Sequence, residues 1–128
     1  MDARLVIDSG TIIKSQGARI DVGIGAQLIA EGTDGDPVVF TSLNDVAYGA
    51  GGTFNTANRA APPTAGARGA AAGDWGGIYV GHTASASIDN AVIAFGGGTT
   101  RVEGGFADFA AIEAHQADLR VAHSRIEF

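Results

Sequence analysis

Two stretches of similar sequence decide the fold of this 128-residue chain: Ser87–Phe95 (SIDNAVIAF) and Arg120–Phe128 (RVAHSRIEF). The two stretches align without a gap, so that every residue of the first has a counterpart at one constant offset in the second. Apolar or small residues coincide along the two, pairing Ile88 with Val121, Ala91 with Ser124, Ile93 with Ile126 and Phe95 with Phe128. Gly77–Val80 and Ala111–Ala114 precede them at nearly the same offset. Each unit therefore reads strand, turn, strand, tight turn, strand, and repetition of such a unit stacks equivalent residues over one another.

The N-terminal half alternates apolar and polar residues over short runs that turn residues separate. In Ala18–Val22 the two aliphatic residues share one face, as do alternate residues of Ala26–Ala30, and Val38–Ser42 forms a third run. Runs of about five residues are typical of β-strands. They leave no room for the crossovers of roughly a dozen residues that join parallel strands in a doubly wound α/β fold. A β-sandwich or a β-solenoid remains, and the repeat favours the solenoid.

Composition narrows the class of protein further. The 20 glycines indicate many tight turns. The formal charge of −6 disfavours binding to nucleic acid, because phosphate binding needs clustered Lys and Arg. The absence of cysteine excludes disulfides, thiolate nucleophiles and Cys-based zinc sites. No apolar run approaches the ~20 residues of a membrane-spanning helix, so we expect no membrane insertion.

Two segments interrupt the repeats. Residues 43–74 are rich in Gly, Ala, Asn and Pro and contain little that forms a strand. Residues 96–109 form a second insertion, glycine-rich at both ends. Both insertions could emerge from the same side of the structure and cover it. We expect one domain over residues 1–128, with these two loop insertions.

Four motifs along the chain carry a resemblance to a known family: Gly10–Lys14 (GTIIK), Leu28–Thr33 (LIAEGT), Pro37–Ser42 (PVVFTS) and Gly73–Ile78 (GDWGGI). In this order they resemble the right-handed parallel β-helix regions of large bacterial surface and secreted, adhesin-like proteins. The resemblance implies an all-β, right-handed parallel β-helix (solenoid) with three short strands per coil. It implies nothing definite about activity, because such regions resemble scaffolds, stalks and polysaccharide-processing enzymes alike. A family member normally continues with further coils or a cap, so the chain is interpreted as a β-helix domain or a fragment of one.

Two aromatic residues are the candidate site residues. Trp75 is the only tryptophan and stands between Asp74 and two glycines. An exposed indole would stack on a sugar ring, and Tyr79 would line the same groove. The alternative is that Trp75 packs as a lid over the core beside the long loop, as the resemblance implies. We favour the packing role for Trp75.

The titratable residues predict neither a metal site nor a catalytic one. His82, His115 and His123 show no spacing at which several ligands converge on one ion, and His123 aligns with Asn90 at an equivalent corner. Acidic residues cluster at Glu31, Asp34, Asp36 and Asp45. Calcium favours oxygen-rich loops, most plausibly here in residues 43–74, but the spacing fits no known calcium loop, and turn formation explains these residues equally well. We therefore expect that the protein is not an enzyme and that it has neither catalytic residues nor a cofactor. A bound calcium ion is the alternative to the absence of a cofactor.

Three functional classes remain open. The first is a structural, adhesin-like module of an extracellular or cell-surface bacterial protein, with a surface glycan or protein as partner and the export signal outside this chain. The second is a carbohydrate-binding or polysaccharide-processing module. The third is a filament subunit that associates end to end, because an uncapped solenoid exposes unpaired strand edges. The sequence favours the first, because fold signals are abundant and site signals are scarce.

Overall fold

The structure, a computed structural model, describes residues 3–48, 69–102 and 104–128. Within these ranges the chain forms thirteen β-strands and no helix. The strands are β1 (Arg4–Ile7), β2 (Ile12–Ser15), β3 (Ile20–Val22), β4 (Gln27–Glu31), β5 (Val38–Ser42), β6 (Ile78–Val80), β7 (Ser85–Asp89), β8 (Ala91–Ala94), β9 (Gly98–Val102), β10 (Gly105–Phe109), β11 (Ile112–Ala114), β12 (Asp118–Ala122) and β13 (Arg125–Glu127). The expectation of an all-β chain is confirmed.

Eleven of these strands form three parallel sheets. Sheet A has the order β1-β4-β7-β12, sheet B the order β2-β5-β8-β13, and sheet C the order β3-β6-β11. The chain passes through the sheets in the order A, B, C each time, starting with β1. The remaining strands, β9 and β10, pair antiparallel with each other between sheets B and C.

The register confirms the repeat that the sequence predicts. Ile88 pairs with Val121 in sheet A, and Ile93 pairs with Ile126 in sheet B, as the alignment of the two similar stretches requires. Ile78 pairs with Ile112 in sheet C, which matches the alignment of the two preceding runs. Equivalent residues therefore lie side by side on neighbouring strands, so that like side chains form columns across each sheet.

One hydrophobic cluster receives side chains from all three sheets. The residues that the alternation places on one face, such as Leu28 and Ala30, are 2% and 0% exposed. The largest fully buried members of this core are Leu28, Val38, Phe40, Trp75, Ile78, Val80, Ile88 and Ile93. Burial of each large aliphatic or aromatic side chain stabilises the fold by about 1.5–3 kcal/mol. A second, smaller cluster of Val39, Val92 and Ala94 lies on the opposite face of sheet B, against Tyr48 and Phe95.

The tight corner between sheets A and B repeats one backbone conformation. Asn90 and His123 have φ angles of 46° and 48°, in the left-handed region. The amide of Asn90 donates to the carbonyl of Ala122 at 3.2 Å, which links the two corners. The predicted equivalence of His123 and Asn90 is confirmed. Asn adopts this conformation readily, whereas His does so at a cost of about 1 kcal/mol.

Each insertion lies between a strand of sheet B and the next strand of sheet C. Residues 96–109 include the hairpin of β9 and β10, two strands that the sequence analysis did not predict there. The hairpin pairs only with itself, so the repeat carries no signal for it, and the glycines at its ends masked the alternation. Gly104 and Gly105, with φ angles of 82° and 157°, lie at its turn. In the 43–74 insertion, residues 43–48 and 69–74 form no strand, and residues 49–68 lie outside the described ranges.

Gly77 and Gly17 have nearly the same backbone conformation but different surroundings. Replacing each with alanine therefore distinguishes the cost of backbone strain from the cost of a steric clash. Their φ angles are 76° and 78°, but a Cβ at Gly77 would meet the carbonyl oxygens of Ala110 and Ala111 at 2.5 Å, whereas a Cβ at Gly17 would meet nothing within 4 Å. We expect Gly17→Ala to cost about 1 kcal/mol and Gly77→Ala to cost roughly 3 kcal/mol or more. Denaturant unfolding of the two variants measures the difference, and equal losses would contradict the packing around Gly77.

Candidate functional site

Trp75 lies in the core, where its side chain is 0% exposed. Its indole Nε1 donates to the carbonyl of Ala94 at 2.9 Å, and its backbone bridges to Gly96. A Cβ at Gly96 would lie 3.0 Å from the indole ring, so this glycine makes room for the tryptophan. The indole therefore offers no exposed face on which a sugar ring could stack. The packing role describes the observed contacts.

Trp75→Ala should lower the free energy of unfolding by about 3–5 kcal/mol, because it leaves a cavity and an unpaired carbonyl. Phe106 provides a control, since its ring is 74% exposed. Phe106→Ala should change stability by about 0.5 kcal/mol or less. Thermal unfolding of both variants tests this, and a Trp75→Ala protein that melts like the wild type would refute the core position of the indole.

Tyr79 lies at the centre of the outer face of sheet C. The register places Asp21 of β3 on one side of it and Glu113 of β11 on the other. The guanidinium carbon of Arg19 lies 4.3 Å from the centre of the Tyr79 ring, a cation–π distance. The imidazole of His115 lies 5.4 Å from the same ring at a tilt of 41°. These five residues make up the Tyr79 cluster, and two of its side chains already pack against the aromatic ring.

The polar side chains of the Tyr79 cluster pair with one another. Arg19 Nε lies 2.8 Å from Asp21 Oδ1, and His115 Nε2 lies 2.5 Å from Glu113 Oε1. Arg19 also lies 5.1 Å from the ring of Phe109, at the end of the hairpin. The cluster thus connects all three strands of sheet C to the hairpin. Its chemistry suits cross-linking of strands on the surface, and a sugar ring would have to displace Arg19 to stack on the face of Tyr79 that the guanidinium covers.

Two buried carboxylates anchor the two ends of the 43–74 insertion. Asp45 Oδ2 accepts from the Thr41 hydroxyl at 2.5 Å, and Asp74 Oδ2 accepts from the Ser42 hydroxyl at 2.6 Å. Both aspartates are nearly buried, at 4% and 6% exposure. Lys14 Nζ donates to the backbone carbonyl of Asp45 at 2.6 Å. Burial lowers the pKa of Lys14, and the nearby charge of Asp45 opposes this shift.

These anchors bear on the calcium alternative. Asp45 is one of the acidic residues that could bind calcium on sequence grounds, and its hydrogen bond to Thr41 is a feature that the sequence does not predict. The sequence signal for this bond is the pair of hydroxyl residues that ends β5, a short distance before Asp45. In the described part of the chain, no group of three or more His, Asp or Glu side chains is placed to hold a metal ion. Most of the segment to which calcium was assigned, residues 49–68, lies outside that part.

A second polar cluster lies at the corner between sheets A and B. Asp89 Oδ1 lies 2.9 Å from His123 Nδ1, and Asp89 Oδ2 accepts from Arg120 at 3.0 Å. The hydrogen bond with His123, followed by that with Arg120, lowers the pKa of Asp89 below its ordinary value of 3.8. His82 takes no part in either polar cluster that the structure describes, so the three histidines do not converge.

Beside this corner, the outer face of sheet A carries a shallow depression of about 370 Å³. Ser85 and Ser87 of the central strand β7 form its floor, because their short side chains lie between longer ones on β4 and β12. The outward-pointing residues that line it are Gln27, Ile29, Ser85, Ser87, Asp118 and Arg120. The depression is open and contains no aromatic side chain, so it lacks the stacking surface that a sugar ring favours.

The lowered pKa of Asp89 gives a pH dependence of defined sign. A carboxyl whose pKa is lower in the folded state stabilises the fold above its unfolded pKa, and this stabilisation is lost as the pH falls through the folded value. Asp89→Asn should therefore destabilise the protein modestly near neutral pH, and the difference from the wild type should close below about pH 4. Thermal unfolding across this range measures it, with the exposed turn variant Asp34→Asn as control. A difference that stays constant with pH would contradict the role of the Asp89 charge.

No family model, curated protein or solved structure matches this chain. No relative therefore indicates a function, and the proposal below rests on the residues of this chain alone. No helix long and apolar enough to cross a membrane occurs in the described ranges.

Proposed function

We propose that this chain is a right-handed parallel β-helix with three strands per coil, which serves as a structural, adhesin-like module of a secreted or cell-surface protein. The observation that carries the proposal is the invariant order in which the chain visits sheets A, B and C. Eleven parallel strands follow this order, and each pairs with the strand in the same sheet on the previous or next pass. A chain that winds helically around one core produces this order.

The right-handed sense that we propose for the β-helix is supported by a general property of the connections between parallel strands. Each return from a strand to its parallel neighbour in the same sheet is a crossover connection. Such connections are right-handed in about 98% of known cases, because strand twist favours that sense. The shared core supports helical winding as well, since Leu28, Phe40 and Ile78 come from three different sheets and belong to one cluster.

A structural role agrees with how the polar groups are used. Asp45, Asp74 and Asp89 accept hydrogen bonds that fasten loops and corners to the sheets. General acid–base catalysis would instead need carboxylates directed at a substrate. A stack of in-register strands gives a stiff support, and the hairpin of β9 and β10 adds surface to it between sheets B and C. We assign partner contacts, to a surface glycan or protein, to that side of the module.

The carbohydrate-processing alternative has less support. It requires an open aromatic platform beside unpaired carboxylates. Trp75 is buried, and Arg19 covers Tyr79 at 4.3 Å while pairing with Asp21. The structural role is therefore the better account of these residues.

Nuclear magnetic resonance on the 128-residue chain tests the fold and the function on one sample. Parallel strands give backbone contacts of uniform register, so we expect cross-peaks that connect Ser87 to both Ile29 and Arg120. We also expect no cleavage of neutral or acidic polysaccharides by the same sample. Antiparallel cross-peaks between these strands would refute the β-helix. Release of reducing or unsaturated sugar ends, abolished by Glu113→Gln, would refute the non-catalytic role.

A further inference from the structure

We propose that the chain cleaves its own backbone between Asp36 and Pro37, in the turn that joins β4 to β5. In this reaction the carboxyl group of Asp36 attacks the main-chain carbonyl carbon of the same residue, and the nitrogen of Pro37 is the leaving group. The reaction uses the turns at residues 8–11 and 32–37, which the structure describes in full. It is independent of the function proposed above.

Asp36–Pro37 is the only Asp-Pro bond in the sequence, since the other two prolines follow Ala61 and Pro62. A peptide bond to proline is a tertiary amide without an N–H group. Its nitrogen accepts a proton more readily than a secondary amide does, and it therefore leaves more easily. The side-chain carboxyl group of an aspartate reaches its own carbonyl carbon through a small, unstrained ring.

Two backbone amides donate to the carbonyl oxygen of this bond. The oxygen of Asp36 accepts from Gly10 N at 3.0 Å and from Thr33 N at 3.1 Å. Gly10 lies in the turn between β1 and β2, so the folded chain is needed to bring both donors to one oxygen. Attack on the carbonyl carbon turns this oxygen into an oxyanion, and preorganised N–H donors stabilise such a developing charge. The two amides therefore form an oxyanion hole.

The attacking carboxyl group lies beside one of these donors. A Cβ added to Gly10 would lie 3.7 Å from Asp36 Cβ and 3.8 Å from Asp36 Oδ1. The carboxyl group and the carbonyl oxygen of Asp36 thus both face Gly10. Holding reacting groups together in this way replaces an encounter in solution. Asp36 is exposed, so water can reach the site.

The reaction needs no reagent other than water. A C–O bond forms between a carboxyl oxygen of Asp36 and its main-chain carbonyl carbon, the C–N bond to Pro37 breaks, and the carboxyl proton passes to the proline nitrogen. The products are a cyclic anhydride at Asp36 and a free proline amine. Water then opens the anhydride and leaves Asp36 with a side-chain carboxyl group and a new main-chain carboxyl group.

Because the leaving nitrogen must gain a proton, we expect cleavage to be faster in mild acid than at neutral pH. The other charged residues on the two turns are Asp8 and Asp34, which are both acidic. The cations at the nearby corner between sheets A and B, Arg120 and His123, bond to Asp89.

The two parts of a cleaved chain would stay joined by strand pairing. In the folded chain β2 pairs with β5, β3 with β6 and β4 with β7, so each of the three sheets links a strand before the bond to one after it. Both parts also contribute side chains to one hydrophobic cluster. Cleavage is therefore detected only after the protein is denatured.

Mass spectrometry after incubation of the folded chain in mildly acidic buffer, with denaturation just before the measurement, tests the proposal. We expect fragments 1–36 and 37–128, whose masses add up to that of the intact chain plus one water. The reference is the same chain kept in guanidinium chloride at the same pH. Folding should accelerate cleavage by roughly tenfold or more, because it places both donors on the carbonyl oxygen. Hydroxylamine added to the folded sample should trap the anhydride as a hydroxamate at Asp36.

Variants of the turn identify the nucleophile and the donors. Asp36→Asn removes the attacking carboxyl group and should abolish cleavage, whereas Asp34→Ala in the same turn should leave the rate unchanged. Thr33→Pro removes one N–H of the oxyanion hole and should slow cleavage by about tenfold or more. Thr33→Val is its matched control, because it keeps that N–H and loses only the hydroxyl that accepts from Asp36 N at 3.1 Å.

An intact chain after incubation overturns the proposal, as do fragments that end at another residue. Cleavage that is equally fast in the folded and the denatured chain also overturns it, since the bond would then owe nothing to the fold. The cross-peaks described above show whether Thr33→Pro is folded. If it is not, the comparison of folded and denatured wild-type chain decides alone.

Discussion

In-register pairing of parallel strands is the constraint on which the rest of this structure depends. Side chains alternate between the two faces of a strand, so a slip of one residue would turn the core residues of a sheet outward. Leu28, Ala86 and Leu119 share one column only because β4, β7 and β12 keep a single register. The constant offset between the similar stretches expresses the same constraint in the sequence, since each pass must return to the same position.

The features that depend on this register could be predicted from the sequence. Ser87–Phe95 and Arg120–Phe128 pair at the offset that their similarity indicated, and the alternation in Ala26–Ala30 identified the buried residues. Such patterns are legible because burial acts on every second residue of every strand. The right-handed β-helix remains a proposal, because strand order is a property of pairing and handedness is a property of the connections.

What the sequence did not predict lies where no repeat applies. The hairpin of β9 and β10 pairs only with itself, so no second copy in the chain marks its strands. The bonds from Thr41 to Asp45 and from Ser42 to Asp74 join residues 4 and 32 positions apart, and only the folded chain brings the second pair together. Tyr79 was expected beside a groove, but its ring packs against Arg19, a contact between sheet neighbours that spacing along the chain does not reveal.

Corners, rather than strands, give this protein its individual features. A strand residue must match the neighbours above and below it, so Ile88 or Ile93 has little freedom to change. A corner must only return the chain to the next strand, and the connections between sheets B and C show how much that permits: a few residues between β2 and β3, but a hairpin between β8 and β11. Trp75 lies at the base of the longest of these connections, where its buried indole bonds to Ala94 and closes the core.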